Sequence, residues 1–297
     1  MVLQYSDLSG ILPGQVLDGI VEKVKYGSTV SALSARDAML FGAANIITFD
    51  DDPKAQFLEE SAAKDSQDIK PLAVQAVPHK AQVTYRTSDE FLWADEDYRL
   101  GILNKLAEKG ARALARGLDF GVYHRINPLS GTPVTAWTNY LDTTTNRVDA
   151  TETPDLDIEQ AAGLVIAGGS IPTGVALDPS YAWKIATGRY SDGRKKFPDM
   201  GLSVTPATFE GLSASTSNTV SGRPEADDTG IRGIVGDFNE GIRWGIQKEL
   251  PFTVIPYGDP DNSGRDLKGH NEVALRLEVV YAWHVFADRF AVIEEAA

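Results

Sequence analysis

The most informative stretch of this 297-residue sequence is residues 46–85, which read IITFDDDPKAQFLEESAAKDSQDIKPLAVQAVPHKAQVTY. Two extended runs are predicted here, one over residues 46–60 and one over residues 72–86. The segment between the runs is polar and charged, so a hairpin of this length has little apolar surface to bury against its own domain. The pattern indicates an arm that acts outside its own subunit, in assembly rather than in catalysis.

A long amphipathic helix is predicted directly after the hairpin, over residues 96–124. Its apolar residues recur at spacings of three, four and seven, while lysine, arginine and glutamate fill the other faces. The members of this stripe are Leu100, Leu103, Ala107, Leu114 and Leu118. At 1.5 Å per residue the helix would be on the order of 40 Å long, which suits a beam in a wide, thin subunit.

Shorter elements are predicted on both sides of these two features. Two short helices precede the hairpin, over residues 13–27 and 34–41. The segment 129–259 alternates short helices and strands, and its Ser-, Thr- and Gly-rich part is predicted to be a partly mobile loop. The predicted elements are helices over 157–167 and 179–186, strands over 174–178, 231–235 and 241–246, and a loop over 203–228. Alternating apolar residues over 273–281, followed by a run over 283–293, predict two closing strands.

Composition limits the classes of function. The chain has 42 acidic and 28 basic residues and a net charge of −14. This charge argues against a protein whose main function is to bind the phosphate groups of nucleic acids. There is no cysteine, which excludes disulfides, thiol nucleophiles and thiolate metal sites. The first residues lack the pattern of a secretion signal, and the longest apolar stretch, 161–169, is far short of the ~20 residues that span a bilayer. A soluble, unsecreted chain with no membrane partner is therefore expected.

The order of these parts resembles the tailed-bacteriophage major capsid protein family, whose type is the Hong Kong coliphage shell protein. The similar segments are 11–16 and 26–30 for the N-terminal arm, 46–60 and 72–86 for the extended loop, 96–124 for the spine helix and 273–293 for the terminal strands. The resemblance covers essentially the whole chain. It implies an α+β, Hong Kong-type phage capsid fold with an N-terminal arm, an extended loop, a long spine helix, a peripheral sheet and a mixed α/β axial domain.

The resemblance also implies a division of the chain and a function. The implied regions are an arm (1–45), an extended loop (46–78), a peripheral domain with the spine helix (79–127), an axial domain (128–269) and closing peripheral strands (270–297). The implied function is the icosahedral head of a double-stranded DNA phage, built from pentamers and hexamers, without enzymatic activity or cofactors. Implied partners are other copies of the chain, a separate scaffolding protein, a portal, a decoration protein and the packaged DNA, contacted without sequence specificity. The expected location is the virion capsid, assembled in the host cytoplasm.

The extended loop carries the candidate contacts between subunits. These candidates are Phe57, Leu58, Glu59, Glu60, Lys64 and Lys70. Phe57 and Leu58 are apolar residues in an otherwise polar strand, so a neighbouring subunit is expected to cover them. In the type member of the family a loop lysine is cross-linked to an asparagine of a neighbour, with a glutamate as catalyst. Lys64 and Lys70 lie in this loop, but no motif identifies a matching asparagine and glutamate, so no autocatalytic role is carried over.

The remaining chemical signals favour structural roles. The histidines are widely separated and lack the spacing of metal ligands, so surface or packing positions are predicted for them. They are His79, His124, His270 and His284. Residues 168–174 resemble a phosphate loop only superficially, and a helix-to-strand connection is the favoured interpretation.

One acidic turn resembles the start of a calcium-binding loop. Asp259, Asp261 and Ser263 stand at its first, third and fifth positions, and Gly264 stands at its sixth. The twelfth position is His270 rather than the glutamate that such loops require. A polar turn before the last strands is therefore favoured over a calcium site.

Two alternative functions stay open at this point. One is an encapsulin-like compartment on the same fold, which the contents of purified particles would distinguish. The other is a loop-rich enzyme acting on polysaccharides, which needs two carboxylates held at a fixed distance in a cleft. Formation of any closed particle would separate a shell protein from such an enzyme.

Overall fold

A computed structural model of the chain describes residues 27–40, 42, 44–49, 54–60, 63, 64, 66, 71–90, 96–198, 200, 202 and 204–295. Its helices are α1 (Thr29–Leu33), α2 (Glu96–Asp119), α3 (Pro154–Ala167) and α4 (Pro179–Thr187). Its strands are β1 (Ala44–Phe49), β2 (Pro71–Ser88), β3 (Ile126–Asn127), β4 (Thr132–Pro133), β5 (Arg147–Asp149), β6 (Gly174–Leu177), β7 (Thr208–Phe209), β8 (Leu212–Thr216), β9 (Ile231–Gly236), β10 (Ile242–Ile255), β11 (Glu272–Val285) and β12 (Phe290–Glu294). The helix predicted over 13–27 lies, apart from Gly27, outside the described residues.

A four-stranded antiparallel sheet contains the predicted hairpin, in the order β1-β2-β11-β10. The first six residues of β2 pair with β1, from Pro71 opposite Phe49 onward. The rest of β2 pairs with β11, from Val77 opposite Trp283 to Ser88 opposite Glu272. The alternating apolar residues of β11 are buried, as its periodicity predicts.

Helix α2 packs along this sheet and confirms the predicted long helix. It continues into one π-helical turn, Phe120–His124, so the helical segment has the predicted bounds. The described part of the apolar stripe faces the core, with Ala107, Leu114 and Leu118 buried and Leu103 packed against the core. Two glycines allow close approach to β11. A Cβ at Gly110 would lie 2.8 Å from Leu277, and one at Gly121 would lie 2.7 Å from the Trp283 ring.

A six-stranded mixed sheet forms the second half of the structure, in the order β5-β12-β9-β6-β8-β7. Helices α3 and α4 cover it, and strands β6 and β9 are buried along their whole length. Strands with both faces covered are nearly continuous apolar runs, which explains the sequence of β6 and β9. The predictions of α3, α4, β6 and β9 are confirmed to within three residues, whereas the strand predicted over 241–246 continues to Ile255.

The helix predicted over 34–41 is wrong for residues 34–40, and Phe41 lies outside the described residues. The helix lies just before these residues, as α1, which Ser28 caps through its hydroxyl and which ends at Ser34. The following residues are extended because they bind β10: the Asp37 N–H donates to the Trp244 carbonyl at 2.8 Å. The Asp37 carboxylate also accepts two hydrogen bonds from Arg243, at 2.7 and 2.9 Å. Contacts with a strand two hundred residues away therefore override the local helical pattern.

Four further features differ from the sequence-based expectations. Residues 54–60 have no regular secondary structure, so the first strand of the hairpin ends at Phe49. The predicted loop over 203–228 contains β7, β8 and a 3-10 turn, Asn218–Val220, with Thr219 and Ser221 fully buried. The closing strands divide between the two sheets, because β11 belongs to the four-stranded sheet and β12 to the six-stranded one. Strand β10, within the region expected to be axial, also joins the four-stranded sheet.

Candidate assembly surfaces

The loop between β1 and β2 exposes the residues expected to contact a neighbour. Phe57 is 102% exposed, so the rest of the subunit does not cover it, whereas Leu58 is 40% exposed and is partly covered. Glu59, Glu60 and Lys64 are also exposed, while Lys70 lies outside the described residues. Burying one large apolar side chain stabilises an interface by about 1.5–3 kcal/mol. Phe57 therefore offers a partner an unused apolar contact.

A buried carboxylate joins the N-terminal segment to the end of the spine helix. Asp119, the last residue of α2, is completely buried. Its Oδ2 accepts the Thr29 N–H at 2.9 Å and the Thr29 hydroxyl at 2.8 Å. Its Oδ1 accepts the Val30 N–H at 3.1 Å and the Ser28 hydroxyl. The first N–H groups of α1, which have no partner within the helix, are thus satisfied from α2.

The same carboxylate reaches the six-stranded half of the subunit. The Thr219 hydroxyl donates to Asp119 Oδ2 at 2.6 Å, so the N-terminal segment, the spine helix and the 3-10 turn meet at one group. Burial raises the pKa of Asp119, and the hydroxyl and backbone donors around it act in the opposite direction. Burial and the neighbouring Asp119 raise the pKa of Tyr123, whose hydroxyl lies 2.9 Å from that of Thr29. The site is closed to solvent, which suits a structural junction rather than catalysis.

The candidate calcium loop is a polar turn closed by an arginine. Arg86 of β2 donates to Asp259 Oδ1 at 2.7 Å, to Asp261 Oδ2 at 2.7 Å and to the Ser263 hydroxyl at 2.7 Å. The guanidinium supplies the positive charge at this turn, and it holds the pKa of Asp261 well below its usual range. Throughout the described parts of the chain, no cluster of three or more histidines, aspartates and glutamates suits a metal ion. The segment is a hydrogen-bonded polar turn, and the absence of a calcium site there stays a prediction.

The histidines occupy the packing and surface positions predicted for them. His79 lies between two tryptophan rings, with centroids 4.3 Å from Trp137 and 4.1 Å from Trp283, and burial lowers its pKa to about 4. His124 is buried, and its Nε2 lies 3.0 Å from the Thr219 carbonyl oxygen. His270 is exposed on a turn, with Nδ1 2.8 Å from the Asp266 carbonyl oxygen. Residues 168–174 connect α3 to β6, as predicted.

The contacts of Asp119 and Arg86 are only weakly indicated by the sequence. Asp119 is an isolated carboxylate in the otherwise apolar end of a helix, and such a charge is buried only when it has partners. Those partners are 90 and 100 residues away, so spacing alone does not reveal them. Arg86 stands in an alternating strand and is matched to the acidic turn only by the register of the sheet.

No described helix is long and apolar enough to cross a bilayer.

Comparison with known proteins identifies relatives among phage structures. No family model and no curated protein matches this sequence. A solved structure from Mycobacterium phage Ogopogo is 38% identical, with a TM-score of 0.80 over 91% of this chain and 92% of that chain. A structure from Gordonia phage Cozz is 29% identical, with a TM-score of 0.77 over 91% and 87%. The capsid of the native GTA particle shares the fold at 16% identity, with a TM-score of 0.58 over 93% and 90%.

These similarities agree with the order of parts in the structure. A loop carried by a long strand is followed by a spine helix on a four-stranded sheet and by a six-stranded mixed domain. The similarity to the phage structures extends over nine-tenths of the chain, and it does not favour an encapsulin-like compartment. The chain belongs to the tailed-bacteriophage major capsid protein family, and its function is to form the capsid shell.

Proposed function

We propose that copies of this chain form pentamers and hexamers that tile the icosahedral head of a double-stranded DNA phage. The observation that carries the proposal is the complete exposure of Phe57 on the loop that connects β1 to β2. An apolar side chain with no cover in its own subunit is suited to burial by a neighbour. No catalytic step and no cofactor form part of the proposed function.

The proposed arrangement places the six-stranded half near the symmetry axes. Rings form when one surface binds a different surface of the next copy and the rotation closes. The six-stranded half packs its own core with α3 and α4, which leaves its loops available for such a contact. The loop of residues 50–70 would overlap an adjacent copy, and many weak contacts repeated around a shell add up to a stable particle.

Further partners are proposed from the same function. A separate scaffolding protein and a portal would guide assembly in the host cytoplasm, and a decoration protein would bind the finished shell. The packaged DNA would be contacted without sequence specificity, because a chain of net charge −14 lacks the overall positive charge of a dedicated DNA-binding protein. Lys64 and Lys70 would lie in the contact between neighbouring copies, and no covalent cross-link through them is part of the proposal.

Assembly of the purified chain tests the proposal. The chain, alone and with its scaffolding protein, should give capsomers or closed particles in light scattering and electron microscopy. Particles recovered from infected cells should contain nuclease-protected DNA, which a cargo compartment would lack. A single species of about the monomer mass, 32.1 kDa, at every concentration and with the scaffolding protein present would contradict the proposal.

A further inference from the structure

A compact group of positive charges stands out on this acidic chain. Residues 184–196, which we call the basic turn, contain five basic residues and one acidic residue, a net charge of +4. The basic residues are Lys184, Arg189, Arg194, Lys195 and Lys196. The rest of the chain has 23 basic and 41 acidic residues, a net charge of −18. The net charge of the basic turn is therefore opposite in sign to the net charge of the rest of the chain.

Backbone hydrogen bonds give the basic turn a defined shape. The Tyr190 N–H donates to the Arg194 carbonyl at 2.9 Å, and the Lys196 N–H donates to the Gly188 carbonyl at 3.0 Å. Gly193 has a φ of +85°, which allows the chain to reverse direction. The Arg189 guanidinium donates to the Gly193 carbonyl at 2.8 Å. A turn that is already ordered loses little entropy when it binds a partner.

Three of the five cations have a carboxylate partner within the subunit. The pair of Lys184 with Glu152, at 3.5 Å, joins two side chains that are 49% and 93% exposed. Lys196 pairs with Asp155 of α3 at 2.7 Å and attaches the turn to that helix. Arg194 pairs with Asp192 of the turn itself, and its side chain remains 81% exposed. Among the described residues, Arg189 and Lys195 have no carboxylate partner within ion-pair distance. Arg189 and Lys195 are thus available to pair with acidic groups of another molecule.

Two exposed aromatic residues accompany the cations. Trp183, in the middle of α4, is 48% exposed, and Tyr190, within the turn, is 54% exposed. Tryptophan, tyrosine and arginine are the residues most enriched among the energetically dominant contacts of protein interfaces. The combination therefore favours a protein partner that brings both apolar surface and negative charge.

We infer that the basic turn, together with Trp183, binds an acidic face of a second copy of this chain. The inference rests on the proposed function, in which neighbouring copies form rings. Copies with a large negative charge repel one another, and a contact that sets a positive surface against a negative one offsets this repulsion. A head-to-tail contact needs two different surfaces on each subunit, and a surface of opposite sign meets that requirement.

Double-stranded nucleic acid fits these observations less well. The remaining net charge of −18 would repel a polyanion approaching the subunit. Bases that are stacked in a duplex also leave no free face for Trp183 or Tyr190. Nucleic acid is therefore the alternative that the experiment should distinguish.

The test compares two variants that each lose two positive charges. R194Q/K195Q changes the basic turn, and K248Q/K268Q removes two exposed lysines elsewhere. The measurement is the protein concentration at which particles appear in light scattering, at about 50 mM and about 500 mM NaCl. R194Q/K195Q should raise this threshold concentration by about ten-fold at low salt, because the lost charge attraction repeats at every contact between copies. The increase should be smaller at high salt, because salt screens that attraction. The control should keep the wild-type threshold.

A second variant tests the aromatic part without changing charge. Y190S should also raise the threshold while the thermal unfolding curve stays that of the wild type. The inference is overturned if both R194Q/K195Q and Y190S assemble at the wild-type threshold. It is equally overturned if R194Q/K195Q assembles normally but loses binding to duplex DNA. Absence of particles from the wild type and the control would overturn the proposed function and this inference with it, whereas a loss confined to the turn variants supports both.

Discussion

The carboxylate of Asp119 accepts a hydrogen bond of 2.9 Å from the backbone N–H of Thr29, although the two residues are 90 positions apart in the chain. Thr219 donates to the same oxygen, Oδ2, at 2.6 Å. One buried group thus connects the N-terminal segment, the spine helix and the six-stranded half. Removing a single acceptor there would leave several buried donors without partners.

Asp119→Asn should lower the free energy of unfolding by about 2–3 kcal/mol, because the new amide group donates where its neighbours also donate. Denaturant unfolding measures this loss. Hydrogen exchange should also become faster in residues 28–33, whose first N–H groups bind the carboxylate. Glu159→Gln, on the exposed side of α3, is the control. Unchanged hydrogen exchange in Asp119→Asn would contradict the conclusion that Asp119 holds the first turn of α1.

Phe57→Asp should leave the subunit soluble and folded but prevent or weaken shell formation, since the exposed ring is proposed to be buried by a neighbour. Leu129→Asp is the matched control, because Leu129 is 96% exposed and lies outside the loop. Electron microscopy and the thermal stability of particles provide the readout. Normal particles from Phe57→Asp would make the loop a passive surface feature, and an unfolded monomer would place it in the subunit's own core.

The sequence predicted those elements whose partners are near or whose periodicity is long. The stripe of α2 and the alternation of β11 are examples, because burial of one face leaves a regular pattern. The helix over 34–41 failed because Asp37 binds β10, and the loop over 203–228 failed because its hydroxyl groups reach buried carboxylates. Local composition indicated the exposed residue Phe57, and its contact with a neighbour stays a prediction. The contacts of Asp119 and Arg86 were not indicated in this way, because their partners are far along the chain.

Stability should fall as the pH drops from about 6.5 to about 4, partly because of His79. Burial between the tryptophans lowers its pKa from 6.5 to about 4, so in this window the unfolded chain binds a proton that the folded chain excludes. His79→Phe should keep the ring packing and reduce the slope of melting temperature against pH. Burial also lowers the pKa values of His124 and His284, so part of the slope should remain. An unchanged slope in His79→Phe would contradict the assignment.

A second loss of stability should follow between about pH 4 and pH 2. Hydrogen bonds from Arg232, at 2.8 and 3.0 Å, are the main reason that the pKa of Asp228 is lowered from 3.8 to about 2. This stabilisation is complete above the unfolded pKa and disappears as the carboxylate is protonated in the fold. Asp228→Asn should lower the melting temperature at neutral pH and flatten the curve in this window. Asp149→Asn, an exposed substitution, should retain the wild-type curve.

Arg86→Ala should lower the melting temperature and create sensitivity to calcium. Without the guanidinium, Asp259, Asp261 and Glu272 face one another with no nearby cation from β2. Calcium at about 1–10 mM should then raise the melting temperature of the variant but not that of the wild type. Arg265→Ala is the control, because it removes one ion pair with Glu272, at 2.6 Å, and leaves Arg86 in place. An equal response to calcium in variant and wild type would contradict this prediction.

The continuity of β2 would give the loop a mechanical role in the proposed shell. A pull on the loop from an adjacent subunit would act along this strand, whose last twelve residues are paired with β11. Force along the strand axis loads these backbone hydrogen bonds together, in shear, whereas force across a strand end opens them one at a time. Outward pressure on a shell would therefore be resisted by the whole sheet of each subunit, and tension would pass from one capsid protein to the next through a single strand.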